Sequence, residues 1–411
     1  MKKSVLMIFL FLLLVPTFCV FAQKKTKNKK PLAISDRSFE FGIACLDVNL
    51  ANSFLSTSDF LKEVIIIDLD KLADGFKFNL GINVTPLYFI HRSKEGWGIG
   101  LSTGIDAIGV LNISGNVLSI NEAIKDNSDI SGAVFSSVAL NTYFTIEKVK
   151  VKYNPSMYYT LAYVTPPKRT PSSLIYTLDY SDGTVMCIDY AVRIYKGFAL
   201  EDNKFSITSN PGLDFTVGFE YPLAKEIGLT DIFPILDFDL SLDLINIPFI
   251  PSTMSDCTLI KGRIGRDEPI KLINKDDDDD GSLFSSDDIF KGKKLVQVSR
   301  PFRMLVKADW RPLFGKKLLT VTPIIGFCHS DLYYKPVSLE AGLNACLNFG
   351  DWLLLKTGFN YTERMFVNSF GISLNAKLFG VDLGVDLRSQ TFSKIWSGAG
   401  LGVNFGLKFG W

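Results

Sequence analysis

Apolar and polar side chains alternate over unusually long stretches of this chain. The clearest examples are Lys148–Val164, Gly212–Tyr221, Leu236–Leu244, Val337–Phe349 and Leu353–Tyr361. In each stretch nearly every second residue is aliphatic or aromatic, and the residues between are mostly charged, small or polar. A period of two is typical of β-strands that bury one face and expose the other to water.

The length of these stretches separates two kinds of β-protein. Strands of globular proteins average about five or six residues, whereas a tilted strand needs about 9–11 residues to cross a bilayer. A soluble sandwich packed on one side is the alternative, but the length favours a barrel with lipid outside and a polar lumen. We therefore predict an all-β fold, with one antiparallel transmembrane β-barrel over residues 38–411 and a basic, polar lead-in at 23–37.

The connections between the predicted strands alternate in length. Counting from Phe39, the pattern predicts about sixteen strands, with about fourteen as the main alternative. Every second connection is mostly short, as at Arg92–Gly96 and Glu147–Lys148, and the others are mostly longer. Short periplasmic turns and longer extracellular loops are typical of outer-membrane barrels. The connection at 248–300 is predicted to be a long acidic extracellular loop, whereas Leu223–Pro234 breaks the alternation.

The N-terminus has the three parts of a secretory signal. Lys2 and Lys3 are basic, Val5–Val15 is an uninterrupted apolar run, and Ala22 ends a cleavage site before Gln23. The apolar run is shorter than the roughly 20 residues of a membrane helix, and no later segment reaches about 18 apolar residues. We expect residues 1–22 to be a cleaved signal peptide, and the mature protein to reach the outer membrane of a Gram-negative-type envelope and its cell surface.

The last eleven residues, 401–411, alternate without a break. Leu401, Val403, Phe405, Leu407, Phe409 and Trp411 are separated by glycine, asparagine and lysine. This segment resembles the closing strand of bacterial outer-membrane β-barrel proteins, whose terminal aromatic residue is read by their assembly machinery. The resemblance implies that Phe409 and Trp411 form an assembly signal. It also implies two partners, the barrel-assembly machinery and outer-membrane lipid.

Two groups within that class are similar to this chain in length and architecture. The chain is porin-like, and it is also similar to the fatty-acid-transporter type of barrel. Members of the latter carry an N-terminal plug with an Asn-Pro-Ala signature, which this sequence lacks after its signal peptide.

Aromatic residues near strand ends are candidates for interfacial girdles; they include Trp97, Tyr153, Tyr163, Tyr221, Trp310, Tyr361 and Trp411.

Charged residues recur on the polar faces of the predicted strands. A Lys or Arg facing lipid would cost about 2–4 kcal/mol at mid-membrane, so these charges should face the lumen. The predicted lumen-lining set is Lys148, Lys150, Lys152, Asp214, Glu220, Asp237, Asp239, Asp243, Arg303, Lys307, Asp309 and Arg311. Acidic and basic walls that face each other would create a transverse field, as in water-filled pores; the alternative is that the charges pair and close the lumen.

These charges favour a passive channel for small polar solutes, with selectivity set by the mixed-charge lumen. One alternative is uptake of hydrophobic molecules by a fatty-acid-transporter-like barrel, which requires an apolar lumen pocket and a plug around Phe54–Gly75. Another is a surface-exposed binding or structural barrel with a closed lumen, whose 248–300 loop contacts partners. The sequence identifies no subunit interface, so the oligomeric state stays open.

The acidic run Asp276–Asp280 has the register of a calcium loop. Asp276, Asp278 and Asp280 would supply oxygen ligands at its first, third and fifth positions, and Asp287 would stand at the twelfth. Weak Ca²⁺ binding is therefore one interpretation. A solvated, mobile extracellular loop is the other.

Other chemistry has little support in the sequence. His91 and His329 belong to no catalytic arrangement, because His329 and Asp331 are too close along the chain to form a triad with Ser330. The five mature cysteines form no CxxC pair, and the net charge of +1 gives no reason to expect nucleic acid. We expect no enzyme activity, no catalytic residue and no cofactor.

Overall fold

The computed structural model describes most of the chain from Ser38 onward. The described residues are 38–52, 76–113, 129–165, 174–177, 186–201, 204–266, 284–312, 318–333, 336–376, 378–390, 392–397 and 400–410. Within them, the alternating segments form long antiparallel strands, several of which exceed fifteen residues. In these described ranges, helix is limited to short turns in two connections.

The first half of the chain contributes ten strands from its described residues. They are β1 (Phe39–Asn52), β2 (Phe76–Arg92), β3 (Gly98–Ile113), β4 (Asp129–Ile146), β5 (Val149–Thr165), β6 (Leu174–Thr177), β7 (Met186–Lys196), β8 (Phe198–Glu201), β9 (Lys204–Ile207) and β10 (Gly212–Tyr221). Two four-residue helices follow, α1 (Leu223–Glu226) and α2 (Leu229–Ile232), and then a 3-10 turn at Pro234–Leu236.

The second half contributes ten more strands from the part that the structure describes. They are β11 (Phe238–Ile250), β12 (Ser252–Arg266), β13 (Phe284–Val298), β14 (Phe302–Trp310), β15 (Leu319–His329), β16 (Val337–Phe349), β17 (Leu353–Thr362), β18 (Met365–Asn375), β19 (Phe379–Ser389) and β20 (Gly400–Gly410). A 3-10 turn at Phe392–Ser397 lies between the last two strands.

Fourteen wall positions close into a barrel. The hydrogen-bonded ring runs β1-β2-β3-β4-β5-β10-β11-β14-β15-β16-β17-β18-β19-β20 and returns to β1, with every pair antiparallel. Closure joins the first and last described strands, since Phe41 of β1 lies opposite Phe409 of β20. The count of sixteen strands is therefore wrong, and the alternative of fourteen is confirmed.

The surplus in the sequence count comes from β6 and β7. Residues 150–158 of β5 pair with β10, and residues 162–165 of β5 pair with β7. Strands β7 and β10 therefore lie one after the other along the same edge of β5 and share one wall position. The small hairpin β8–β9 interrupts that position. Strand β6 has four residues and pairs with β7. Alternation marks each of these segments as a strand, but it does not reveal that two segments share a place in the wall.

Strands also fill much of the connection predicted to be a loop at 248–300. Here β12 and β13 pair with each other, and β12 pairs with β7, so the wall continues beyond the ring as a hairpin extension. Both faces of such an extension contact water or other protein, so the sequence does not need the strong alternation of a lipid-facing strand. The acidic segment 276–280 and the rest of 267–283 lie outside the described residues.

The outer face of the ring is apolar, as the alternation predicts. Large aliphatic side chains on it are exposed, including Leu87, Leu101, Ile325, Leu343 and Leu383. Their strand neighbours point into the barrel and are mainly polar, charged or glycine. This distribution is that of a transmembrane barrel with lipid outside. Among the described residues, no helix has the length and apolar character needed to cross a bilayer.

Candidate functional site in the barrel lumen

An apolar and aromatic cluster lies inside the barrel at its extracellular end. It collects buried side chains from six strands and from the connection between β15 and β16. Its members are Val110, Ala133, Phe135, Tyr158, Tyr163, Tyr195, Met254, Cys257, Val298, Leu332 and Tyr333. We call this group the lumen cluster. None of its members was predicted to be a site residue, because the predicted lumen-lining set contained only charged residues.

A β-bulge in β5 helps to build the lumen cluster. Val134 of β4 lies opposite Ala162, but the next residue, Phe135, lies opposite Thr160, so one extra residue is inserted in β5. The insertion reverses the alternation beyond it. Both Tyr158 and Tyr163 are therefore buried inside, although Tyr163 was a candidate for the lipid interface. A single bulge thus moves a side chain from one face of a strand to the other.

Tyr158 is the centre of the hydrogen bonding in the lumen cluster. Its side chain is fully buried, and its ring meets that of Phe135 edge-on at 5.9 Å between centroids. The hydroxyl donates to the carbonyl oxygen of Val298 at 3.1 Å and accepts from the backbone N–H of Ser252 at 3.3 Å. The polar end of this ring is thus satisfied, and its apolar body faces the cluster.

The connection between β15 and β16 folds into the lumen. The Ser131 hydroxyl of β4 donates to the carbonyl oxygen of Leu332, and the guanidinium of Arg364 lies 4.7 Å from the ring centroid of Tyr333. Strand β4 is fourth in the ring, whereas β15 and β16 are ninth and tenth. The contact between Ser131 and Leu332 therefore crosses the barrel, and the two loop side chains cover the lumen cluster.

A buried arginine lies beside the lumen cluster. Arg300, between β13 and β14, donates from Nε to Asp214 Oδ2 at 2.7 Å and from Nη2 to Asp214 Oδ1 at 2.6 Å. Its Nη2 also contacts the hydroxyl of Ser156 at 2.9 Å, and its guanidinium carbon is 5.2 Å from the ring centroid of Tyr158. Asp106 of β3 lies 3.8 Å from Nη1 and extends the network across the barrel.

Most of the predicted lumen charges have an opposite charge close by. The ion pairs are Lys150–Glu220, Lys307–Asp243, Arg311–Asp237, Arg311–Asp239, Arg303–Glu340 and Arg303–Glu363. Asp309 accepts from the hydroxyl of Thr322 at 2.6 Å, and Lys152 is exposed on β5. Neighbouring strands therefore neutralise many of these charges, which weakens the expected field between an acidic and a basic wall.

Three predicted lumen residues lie at the periplasmic rim instead of within the wall. Lys148 is in the turn before β5 and forms an ion pair with Glu226 of α1. Asp237 precedes β11 and Arg311 follows β14, and the guanidinium holds two acidic side chains, Asp237 and Asp239. Hydrogen bonding to Arg311 lowers the pKa of Asp237 from its ordinary value of 3.8.

Several charged residues in the lumen were not singled out from the sequence. They include Arg300, Asp106, Glu340, Glu363, Asp382, Lys408, Asp386 and Arg388. Most of them occupy the polar positions of alternating strands, so the same pattern could have found them. Arg300 and Glu363 are the exceptions, because each lies in a connection between strands.

The other predicted sites are placed as follows. Asp287 lies in β13 opposite Lys261, whereas Asp276, Asp278 and Asp280 fall outside the described residues. Where the structure does describe side chains, no group of three or more His, Cys, Asp or Glu residues could hold a metal ion. Calcium binding stays a prediction.

His91, the terminal aromatics and the cysteines have structural surroundings in the described part of the chain. The ring of His91 lies 4.6 Å from that of Phe39 and 5.6 Å from that of Trp97, measured between centroids. Phe409 stacks on Phe41 at 5.3 Å, and Trp411 is outside the described residues. The described free cysteines are Cys45, Cys257, Cys328 and Cys346.

Ring closure, strand length and the apolar outer face define the class of protein. The chain is a 14-stranded antiparallel β-barrel of the bacterial outer-membrane type. Its structure is similar to that of the toluene transporter TodX of P. putida, with a TM-score of 0.50 and 11% sequence identity over 93% of each chain. It is also similar to the toluene transporter TbuX of Ralstonia pickettii, with a TM-score of 0.47 and 10% identity over 92% of this chain and 90% of that one.

Comparisons of sequence add no further relative. No protein-family model matches this chain, and no curated protein matches it significantly. At 11% identity, the similarity to TodX establishes the fold alone.

Proposed function

We propose that this barrel takes up small hydrophobic molecules across the outer membrane. The observation that carries the proposal is the lumen cluster, which presents buried apolar and aromatic side chains inside the barrel at its extracellular end. A binding site for an apolar molecule is expected to be concave and mostly apolar, with few polar groups. The proposal replaces the polar-solute channel as the preferred function.

The chemistry around the lumen cluster favours uncharged ligands over anionic ones. Arg300 is the nearest buried cation, but both oxygens of Asp214 already accept hydrogen bonds from it. A carboxylate on the ligand would have to displace Asp214 and leave that buried acid without its partner, which is costly. TodX, which has a similar fold, is a toluene transporter, and this is consistent with a neutral aromatic ligand.

A polar-solute channel requires inward charges that stay free to act on the solute. Lys150, Lys307 and Arg311 each form an ion pair with a carboxylate on a nearby element. The Arg300 network and the loop at Leu332 also cross the barrel. These contacts favour hydrophobic uptake or a closed lumen over a wide aqueous pore.

Uptake of radiolabelled toluene by cells with a lipopolysaccharide-bearing outer membrane tests the proposal. Cells that express the barrel should take up toluene faster than cells without it, and excess unlabelled toluene should compete. In a planar bilayer, the purified protein should show no steady ohmic steps. Ohmic conductance with sugar permeation and no effect on toluene uptake would reinstate the polar channel. Absence of both toluene uptake and bilayer conductance would favour the closed, surface-binding barrel.

Two matched variants connect uptake to the lumen cluster. Ala133→Asn adds an amide to a buried position in the cluster, and Ser373→Asn adds the same group to a buried position on β18, away from it. An unpaired buried amide disfavours an apolar ligand, so Ala133→Asn should lower uptake about tenfold. Ser373→Asn should leave uptake close to that of the parent. Equal effects would show that toluene does not pass the cluster.

A further inference from the structure

The connection between β10 and β11 exposes an unusual amount of apolar surface. Residues 222–237 form α1, α2 and a 3-10 turn on the periplasmic side. Five large side chains in this connection are exposed, with fractions of 38–70%; they are Ile227, Ile232, Phe233, Ile235 and Leu236. Such a concentration of apolar side chains marks a surface that contacts lipid or another protein.

A hydrogen bond places this connection on the outer side of the wall. The indole Nε1 of Trp310 donates to the carbonyl oxygen of Ile235 at 2.7 Å. Trp310 alternates with Asp309, which faces the lumen, and it pairs across the strands with Phe238. The ring of Trp310 therefore faces lipid, and the backbone at Ile235 lies beside it.

Polar contacts fix the connection at the rim. Glu226 of α1 forms an ion pair with Lys148, and Ala224 is fully buried. At the other end, the backbone N–H of Arg311 donates to the carbonyl oxygen of Asp237 at 2.8 Å. These contacts hold the apolar side chains between them at the level of the periplasmic rim. There they lie next to the lipid-facing surface formed by Trp310 and Phe238.

We propose that residues 222–237 are an interfacial anchor that inserts Ile232, Phe233 and Ile235 into the periplasmic leaflet of the outer membrane. The occupant of this apolar surface is phospholipid, because the surface is continuous with the lipid-facing wall. Tryptophan is enriched at this depth of a bilayer, and short amphipathic segments bind there through their buried apolar area. The proposal does not depend on which solute the barrel carries.

Depth-dependent fluorescence quenching tests the anchor in the complete barrel. Phe233→Trp places a reporter in the anchor, and Glu95→Trp places one in the periplasmic turn between β2 and β3, where the side chain is exposed. Each protein is reconstituted into phosphatidylethanolamine and phosphatidylglycerol vesicles, with acyl chains brominated near the headgroup or near the methyl end. The signal of the parent protein is subtracted to isolate the added tryptophan.

The anchor predicts opposite results for the two reporters. The tryptophan at 233 should be quenched at least about threefold more by shallow bromine than by deep bromine, and iodide in the water should quench it weakly. The tryptophan at 95 should be quenched by iodide and not by either lipid. Strong iodide quenching at 233 would overturn the proposal. Protection from both quenchers would also overturn it and would indicate a protein partner or a second copy.

A double substitution tests the anchor without a reporter in it. Ile232→Ser with Phe233→Ser removes two exposed apolar side chains, so folding should be retained. If lipid covers the segment, the loss of these side chains should increase iodide quenching of Trp310 severalfold. Unchanged quenching in this double variant would contradict the proposal.

Discussion

Arg300 and Asp214 form a buried, bidentate ion pair between the β13–β14 junction and β10. Two hydrogen bonds of 2.7 and 2.6 Å join them, and only 2% of the Asp214 side chain is exposed. The pair adjoins the lumen cluster through Tyr158. Because both side chains are buried away from water, each charge is compensated mainly by the other.

Loss of one partner from this pair should destabilise the barrel strongly. Asp214→Asn leaves Arg300 buried without its closest counter-charge, and the expected loss is about 3 kcal/mol. Guanidinium unfolding in detergent, followed by tryptophan fluorescence, measures the change in the free energy of unfolding. Asp243→Asn is the matched control, because its partner Lys307 is more exposed; its expected loss is below about 1 kcal/mol. Equal losses would show that burial does not set the strength of these pairs.

Removal of both charges should cost much less than removal of one. The double variant Asp214→Leu with Arg300→Met replaces a buried ion pair by apolar side chains of similar size, a change that is often close to neutral. We expect most of the stability lost in Asp214→Asn to return. A double variant as unstable as the single one would mean that the pair contributes to folding beyond the compensation of its charges.

Gly212 should not tolerate a methyl group. A Cβ at this position would lie 2.3 Å from Cζ of Tyr158 and 2.7 Å from the backbone nitrogen of Ser252. Gly212→Ala should therefore displace the Tyr158 ring and destabilise the barrel by about 1–3 kcal/mol, measured by the same unfolding assay. At Gly406 the nearest atoms to a Cβ are 3.5 Å away, so Gly406→Ala should cause no loss. Equal stability of the two variants would contradict the packing at Tyr158.

The ion pair at the periplasmic rim predicts a pH dependence. Because Arg311 lowers the pKa of Asp237 from its ordinary value of 3.8, the pair stabilises the rim fully above that value. Its contribution should disappear as the pH falls through the depressed pKa. The fluorescence of Trp310, obtained as the difference between the parent and Trp310→Phe, should change with a midpoint below pH 3.8. In Arg311→Met the midpoint should rise, and an unchanged midpoint would exclude this pair as the cause.

The hydrogen bond from Ser131 should hold the loop between β15 and β16 in the lumen. Ser131→Ala removes it and leaves the carbonyl of Leu332 without that donor, a loss of about 1 kcal/mol. Local opening of the loop should become about fivefold more frequent, and chymotrypsin should cleave after Tyr333 faster by that factor. Ser137→Ala, on the same face of β4, is the control and should leave the rate unchanged. Equal cleavage rates in both variants would show that this hydrogen bond does not hold the loop in the lumen.

Alternation predicts the direction of side chains well in the C-terminal strand. Leu401, Val403 and Phe405 are exposed on the outer face of β20, whereas Gly402 and Gly406 are buried on its inner face. The prediction succeeds because successive side chains of a strand point to opposite faces, whatever its partners are. It fails in β5, where the bulge reverses the order and places Tyr163 in the lumen cluster.

The sequence alone determined that this chain is a β-barrel with lipid outside, because strand length and period are local properties of consecutive residues. Tertiary structure decided the number of wall positions, since β7 and β10 share one place only through their common pairing with β5. It also decided what fills the lumen. The contacts that matter there join residues far apart in the chain, such as Ser131 with Leu332, and a local pattern does not specify which remote strand or loop a side chain will meet.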